Sequence, residues 1–189
     1  MPLSLISNPL PVLVVVCGPP GAGKSMLAPA LARELRLPVI AKDLVKEVLM
    51  DHFGGAEPVG TAAFALQFAI AHAILDSGSG LILEGAFFRD QAGLRATVAM
   101  AHTAIVHVQA PLDCLVERYT IRQGDRHPGH RGLEALPDLR ARVLDGTYDP
   151  PELELPVLRV DSTNGYRPSE PEIVNWLVGR FRSARSKDE

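Results

Sequence analysis

The sequence predicts an α/β fold in which a parallel sheet is sandwiched between helices on both faces. Short apolar runs alternate with helix-length amphipathic segments, the order expected when each strand is followed by a crossover helix. Those runs are almost continuous Val, Ile and Leu, which suits strands buried on both sides rather than on one. A glycine-rich stretch, GPPGAGKS (Gly18–Ser25), joins the first strand to the first helix.

The strands read as Val12–Cys17, Pro38–Ala41, Gly80–Glu84, Ala104–Gln109 and Pro156–Asp161. Helices are expected over Lys24–Arg36, Leu44–His52, Thr61–Asp76, Asp90–Ala101, Leu112–Gln123, Pro137–Leu144 and Pro171–Ser183. Pro29 lies inside the first helix and cannot donate to the Ser25 carbonyl, so a kink is expected there. Asp51–Gly60 reads as a glycine-containing loop between two helices and Asp145–Pro156 as a proline-rich connection. In the last helix Ile173, Val174, Trp176, Leu177 and Phe181 recur at helical spacing and are assigned to the core. Arg182–Glu189 reads as a charged, frayed tail.

With 189 residues, residues 1–189 are read as a single domain. A net charge of −3 and 22% charged residues fit an ordinary globular chain and give no basic coat for nucleic acid. The apolar stretch Leu10–Cys17 has no basic residue before it and runs straight into the glycine loop, so it is read as a strand rather than a leader. No apolar run approaches about 20 residues, so no membrane span is expected. Cys17 and Cys114 read as lone reduced thiols, which suits a cytoplasmic location. The oligomeric state is not legible.

GPPGAGKS satisfies G-x-x-x-x-G-K-[ST] in the strand–loop–helix setting that gives the pattern its mechanism. Glycines let backbone N–H groups converge on phosphate oxygens, and the following helix start adds partial positive charge. The residues assigned to a nucleoside triphosphate, ATP, are therefore Gly18, Pro19, Pro20, Gly21, Ala22, Gly23, Lys24, Ser25 and Met26. Lys24 is expected to reach the β and γ phosphates, and the Ser25 hydroxyl to ligate Mg²⁺. A GTPase switch is disfavoured, because no Asn/Thr-Lys-x-Asp motif follows a later strand. Asp51-His52-Phe53-Gly54 matches D-x-x-G only after a helix.

Other residues suggest transfer to a hydroxyl. Asp43 follows the second strand, where strand carboxyl ends line the ligand crevice, and could accept the proton of an attacking hydroxyl or cap the next helix. Glu84 ends the third strand and could hold a Mg²⁺-bound water or touch the acceptor. Arg89 could clamp a substrate anion. Arg118, Arg122 and Arg126 are spaced four apart and would share one helix face if the helix persisted past Gly124, forming an arginine-rich lid over residues 118–132. His127 and His130 lack further ligands for a metal. Phe64, Phe68, Ala71, His72 and Leu75 are expected to wall an enclosed acceptor pocket, with specificity in the loop at 51–60 and the helix after it.

The order and spacing of GPPGAGKS, VIAKDLVKEVL, LILEGAFFR and RQGDRHPGH resemble the small P-loop kinases that group with chloramphenicol phosphotransferase, zeta toxins and the kinase domain of polynucleotide kinase, often labelled AAA-family ATP-binding proteins. The resemblance implies a P-loop NTPase three-layer sandwich with a five-stranded parallel sheet in order 2-3-1-4-5, a mobile lid and Mg·ATP-dependent transfer to a hydroxyl. It implies that Asp43 holds the acceptor and that Arg126 lies on the lid. It further implies that Arg118 stacks near adenine, with Ser162 and Thr163 in the loop after the last strand forming the adenine rim. Glu84-Gly85-Ala86-Phe87 departs from the Asp-Gly-Phe-Pro of nucleoside monophosphate kinases, which points away from a nucleotide acceptor. The expected activity is an ATP-dependent kinase with a small-molecule hydroxyl acceptor. The alternatives are a 5′-hydroxyl polynucleotide or nucleotide kinase and an ATP-binding regulatory module.

Overall fold

The computed structural model describes residues 10–53, 59–88 and 91–185. Strands β1 (Val12–Cys17), β2 (Val39–Ala41), β3 (Leu81–Glu84), β4 (His102–Gln109) and β5 (Val157–Asp161) pair in the order β2–β3–β1–β4–β5. Every pair is parallel. The helices are α1 (Lys24–Leu35), α2 (Lys42–Phe53), α3 (Val59–Asp76), α4 (Ala92–Val98), α5 (Leu112–Ile121), α6 (Leu136–Leu144) and α7 (Glu170–Arg185).

The period-2 geometry of a strand divides the core into two layers. Val14 and Val16 of β1 face Leu27 and Leu31 of α1 and Ile173 and Leu177 of α7. Leu13 and Val15 face the other way, onto Phe68, Ala71 and Leu75 of α3 and Leu94 and Val98 of α4. Both faces of β1 therefore need apolar side chains, which is why VLVVVC shows no alternation. Burial on both sides holds for β1, β3 and β4 and fails at the edges. β2 is half-buried throughout, and in β5 only Val160 is buried, because an edge strand has one neighbour to cover it.

Several expected bounds shift for local reasons. α1 runs through Pro29 as one helix, with the proline exposed to solvent. α2 takes in Lys42 and Asp43 at one end and Phe53 at the other, so part of the expected loop at 51–60 is helical; residues 54–58 lie outside the described residues. α4 is shorter than expected, and at Gly93 it presses on α3 so closely that a Cβ would lie 2.4 Å from the Phe68 ring. α7 extends to Arg185, past the expected start of the tail, whose residues 186–189 are not described.

Contrary to the expectation from run length, α3 is long and apolar enough to cross a membrane, with 18 residues and a mean hydropathy of 1.4. Here it lies on the sheet, with Ala63, Phe68, Ala71 and Leu75 buried. Its buried Gln67 donates from Nε2 to the Ile40 carbonyl at 2.7 Å and the Glu84 carbonyl at 2.9 Å. Those two bonds tie the ends of β2 and β3 together, at the edge of the crevice where the strand order switches around β1.

Candidate active site

The loop Gly18–Ser25 turns from β1 into α1 through backbone conformations that demand glycine. Gly18 sits at φ 133°, and a Cβ there would meet the Val108 carbonyl oxygen at 2.0 Å; at Gly21, φ 84°, it would meet the Leu115 carbonyl oxygen at 2.9 Å. α1 begins at Lys24, so the N–H groups of its first turn have no partner within the helix, and Gly23, Lys24 and Ser25 line a cavity of about 380 Å³. The Lys24 ammonium donates to the Pro19 carbonyl at 2.9 Å. Tyr166 clamps the far side through its hydroxyl, which donates to the Gly23 carbonyl at 2.8 Å.

Two carboxylates face the loop. Glu84 ends β3 and is 6% exposed. Burial pushes its carboxyl up, against the attraction of Lys24, and burial likewise pushes the Lys24 ammonium down. Asp43 was expected at the end of β2, but β2 stops at Ala41 and α2 starts at once, so Asp43 sits in the first turn of α2. Its side chain is open to the cleft, 61% exposed, and lies 3.4 Å from Lys42. Desolvation by the cleft walls opposes its charge, but Lys42, His130 and Lys24 together outweigh that and hold its carboxyl below the usual value.

The arginine stripe does not lie on one continuous helix face. α5 ends at Ile121, a 3-10 turn spans Arg122–Asp125, and Arg126 is extended with φ −87° and ψ 150°. Arg118, Arg122 and Arg126 nevertheless line the same cavity, because the turn folds the chain back over it. Arg126 stacks its guanidinium over the Tyr119 ring, 4.5 Å from the centroid, and its Nη1 is buried with no hydrogen-bond partner among the described residues. The histidines pair with α2: His130 Nε2 lies 2.9 Å from Glu47 Oε1, and His127 Nε2 lies 2.9 Å from Asp51 Oδ1. No group of three or more His, Cys, Asp or Glu among the described residues could hold a metal.

Arg118 braces two loops at once. It donates to the Gly21 carbonyl at 3.5 Å, to Ser162 Oγ at 3.1 Å, and to the carbonyls of Ser162 and Thr163 at 2.6 and 3.0 Å. The Ser162 hydroxyl is itself buried and donates to the Gln109 carbonyl, so it stabilises the rim from behind. Thr163 is held by its N–H to Asp161 Oδ1 at 2.7 Å. Of the expected loop ligands, Pro20, Gly21, Gly23, Lys24 and Ser25 line this cavity. Gly18, Pro19, Ala22 and Met26 do not: Ala22 is fully buried, and Met26 is 75% exposed on α1. Arg89 lies outside the described residues.

A second cavity of about 260 Å³ adjoins the first, and Lys24, Asp43, Glu84 and Arg126 line both. The helix α3, expected to wall an acceptor pocket, contributes little to this cavity. Phe68, Ala71 and Leu75 face the sheet, and His72 bonds Thr97 Oγ1 at 2.9 Å; only Phe64 of that set reaches the cavity. The other lining residues include Lys42, Phe88, Arg131, Arg142 and Tyr148, none of which sequence reasoning had singled out for the acceptor. Tyr148 comes from the stretch read as a bare proline-rich connection.

A parallel sheet in this order with a phosphate-binding loop after its central strand defines a P-loop NTPase of the kinase type. The chain belongs to the AAA domain family, whose model matches residues 13–144. It is similar to a candidate kinase from Chloroflexus aurantiacus, with 34% identity and a TM-score of 0.80 over 90% of this chain and 98% of that one. A gluconokinase from Sinorhizobium meliloti shares the fold at 22% identity and a TM-score of 0.59, over 94% and 96% of the two chains. So does a shikimate kinase from Acinetobacter baumannii in complex with shikimate, at 19% identity and a TM-score of 0.59, over 92% and 94%. No curated protein matches the sequence.

Proposed function

We propose that this protein is an ATP-dependent kinase that transfers the γ-phosphate to a hydroxyl of a small molecule. The observation that carries this reading is the junction of two cavities at Lys24, Asp43, Glu84 and Arg126. A triphosphate in the first and an alcohol in the second would meet at those side chains. The likeness of the fold to gluconate and shikimate kinases supports an acceptor of that size.

In this reading Gly21, Gly23 and the start of α1 cradle the phosphates, and Lys24 leaves the Pro19 carbonyl to neutralise them. The acceptor oxygen bonds to the γ-phosphorus as the bond to the ADP oxygen breaks, and the hydroxyl proton passes to Asp43, which the surrounding cations keep ionised. Arg126 offers its unpaired Nη1 to the transferring group, while Arg118 and Arg122 lie along the nucleotide side. The Ser25 hydroxyl and the Glu84 carboxylate are hard oxygen donors suited to Mg²⁺ or its waters. Bound there, the ion would offset the negative charge of the phosphates. The segment 118–132 acts as the lid of a single kinase domain, latched to α2 through His127 and His130.

The test is a screen of hydroxyl compounds for acceptor-dependent ADP release with Mg·ATP, run beside 5′-hydroxyl oligonucleotides. A small alcohol that raises ADP release supports the reading. Efficient labelling of the oligonucleotides would move the acceptor to nucleic acid, and slow ATP turnover indifferent to every added alcohol would reduce the protein to a binding module.

A further inference from the structure

The second cavity is cationic in a way that ATP does not explain. Arg131, Arg142 and Lys42 line it but not the triphosphate cavity. Arg131 Nη1 and Arg142 Nε both donate to the one carboxylate of Asp138, at 3.1 and 3.0 Å, so two guanidinium charges share a single negative charge.

These cations are also held in place before any ligand arrives. The Arg142 guanidinium lies over the Phe88 ring at 5.4 Å, and Lys42 Nζ lies over the Phe64 ring at 5.3 Å. Phe88 packs in turn on Tyr148, ring centroids 6.1 Å apart. Aromatic backing fixes a cation while leaving its outer N–H groups free to bond an anion. A cavity of this size, lined by preset guanidinium groups and by Asp43, suits a small molecule that carries both an anion and a hydroxyl.

We propose that the second cavity is the acceptor subsite and that the acceptor is a hydroxyl compound bearing a carboxylate or phosphate group, bound by Arg142 and Arg131 with its hydroxyl toward Asp43. The inference rests on the kinase reading and narrows its substrate class. The anionic group takes no part in the transfer; it fixes the distance and direction of the hydroxyl that does.

The direct test fills the phosphate loop with a non-hydrolysable ATP analogue and Mg²⁺, then titrates malonate and, separately, inorganic phosphate by calorimetry. At least one is expected to bind, and the one that does tells a carboxylate acceptor from a phosphorylated one. Arg142→Gln is expected to weaken that binding by about tenfold, the scale of losing one hydrogen bond to a charged group. Arg131→Gln, at a more exposed position, gives a second reading should Arg142→Gln fail to fold. Binding of neither anion, or equal binding to wild type and both variants, overturns the inference.

A kinetic arm compares gluconate and glucose 6-phosphate with glucose as acceptors. Preference for either anion, reduced in Arg142→Gln by a raised KM, a lowered kcat or both, supports the subsite; preference for glucose overturns it. Silence of all three, with malonate or phosphate still bound through Arg142, counts against the kinase reading alone.

Discussion

Replacing Arg126 with Ala separates a residue placed for a ligand from one placed for the fold. Arg126 is stabilised by its stack on Tyr119, a cation–π contact worth about 0.5–2 kcal/mol. Against this, its buried Nη1 has no partner among the described residues, and an unsatisfied buried donor costs about 1–3 kcal/mol. The two effects nearly cancel, so Arg126→Ala should leave the thermal midpoint of the ligand-free protein close to wild type. In the transition state the same N–H would meet the transferring phosphoryl group, and losing one such preorganised donor costs about 2.7–4 kcal/mol, or about 10²–10³ in kcat. Arg126→Lys should not restore the rate, because an ammonium gives neither the planar stack nor the forked donors. The assays are thermal denaturation without ligand and steady-state kinetics with Mg·ATP and an identified acceptor. A large drop in midpoint with kcat unchanged would refute the reasoning and make Arg126 a structural residue.

Lys24→Ala should lower transfer by about two orders of magnitude or more in a folded protein, and chelating Mg²⁺ should abolish it; normal turnover by the variant would remove the triphosphate from this loop. Burial pushes the Cys17 thiol up to about 12, so at pH 8 only about one molecule in 10⁴ carries the thiolate there. Iodoacetamide should therefore spare Cys17 and label the half-buried Cys114 preferentially, and peptide mass spectrometry showing fast labelling of Cys17 would contradict its burial. Glu84 has its folded pKa raised above the unfolded value, so the folded state binds more protons between the two, and stability falls as pH rises through that window. Glu84→Gln should thus raise the midpoint of the ligand-free protein at pH 7 while impairing transfer, and the gain should shrink towards about pH 4, where the unfolded carboxyl also holds its proton. A lower midpoint at pH 7 would instead make the charged Glu84 a structural partner of Lys24.

What the sequence makes legible here is what local chemistry decides. The bounds of β1 follow from an apolar run that ends at a glycine, and the phosphate loop follows from residue types whose φ values only glycine tolerates without strain. The second cavity is not local. Phe64 and Phe68 have the same residue type and sit one helical turn apart, yet the sheet covers one and the cavity opens beside the other. Helical period tells that both avoid water and not which neighbour excludes it. His130 meets Glu47 across 83 positions, Lys42 reaches Phe64, and Arg142 reaches Phe88; no spacing rule anticipates such contacts. The arginine stripe failed as a helix and held as a cluster, since a 3-10 turn ending in an extended residue returns Arg126 to the cavity by a different path.

The kinase assignment turns most directly on Asp43, which stands where the two cavities meet and is held ionised by its neighbours. The decisive measurement is single-turnover transfer from γ-labelled ATP to an identified acceptor, in wild type and in Asp43→Asn, with ATP-analogue affinity measured on the same samples. Asp43→Asn is expected to bind the analogue within a few-fold of wild type and to transfer about 10²–10⁴ more slowly, the range for a positioned general base, and nearer its lower end if the transition state is loose. Transfer at the wild-type rate, or weakened nucleotide binding with the rate intact, would contradict the assignment.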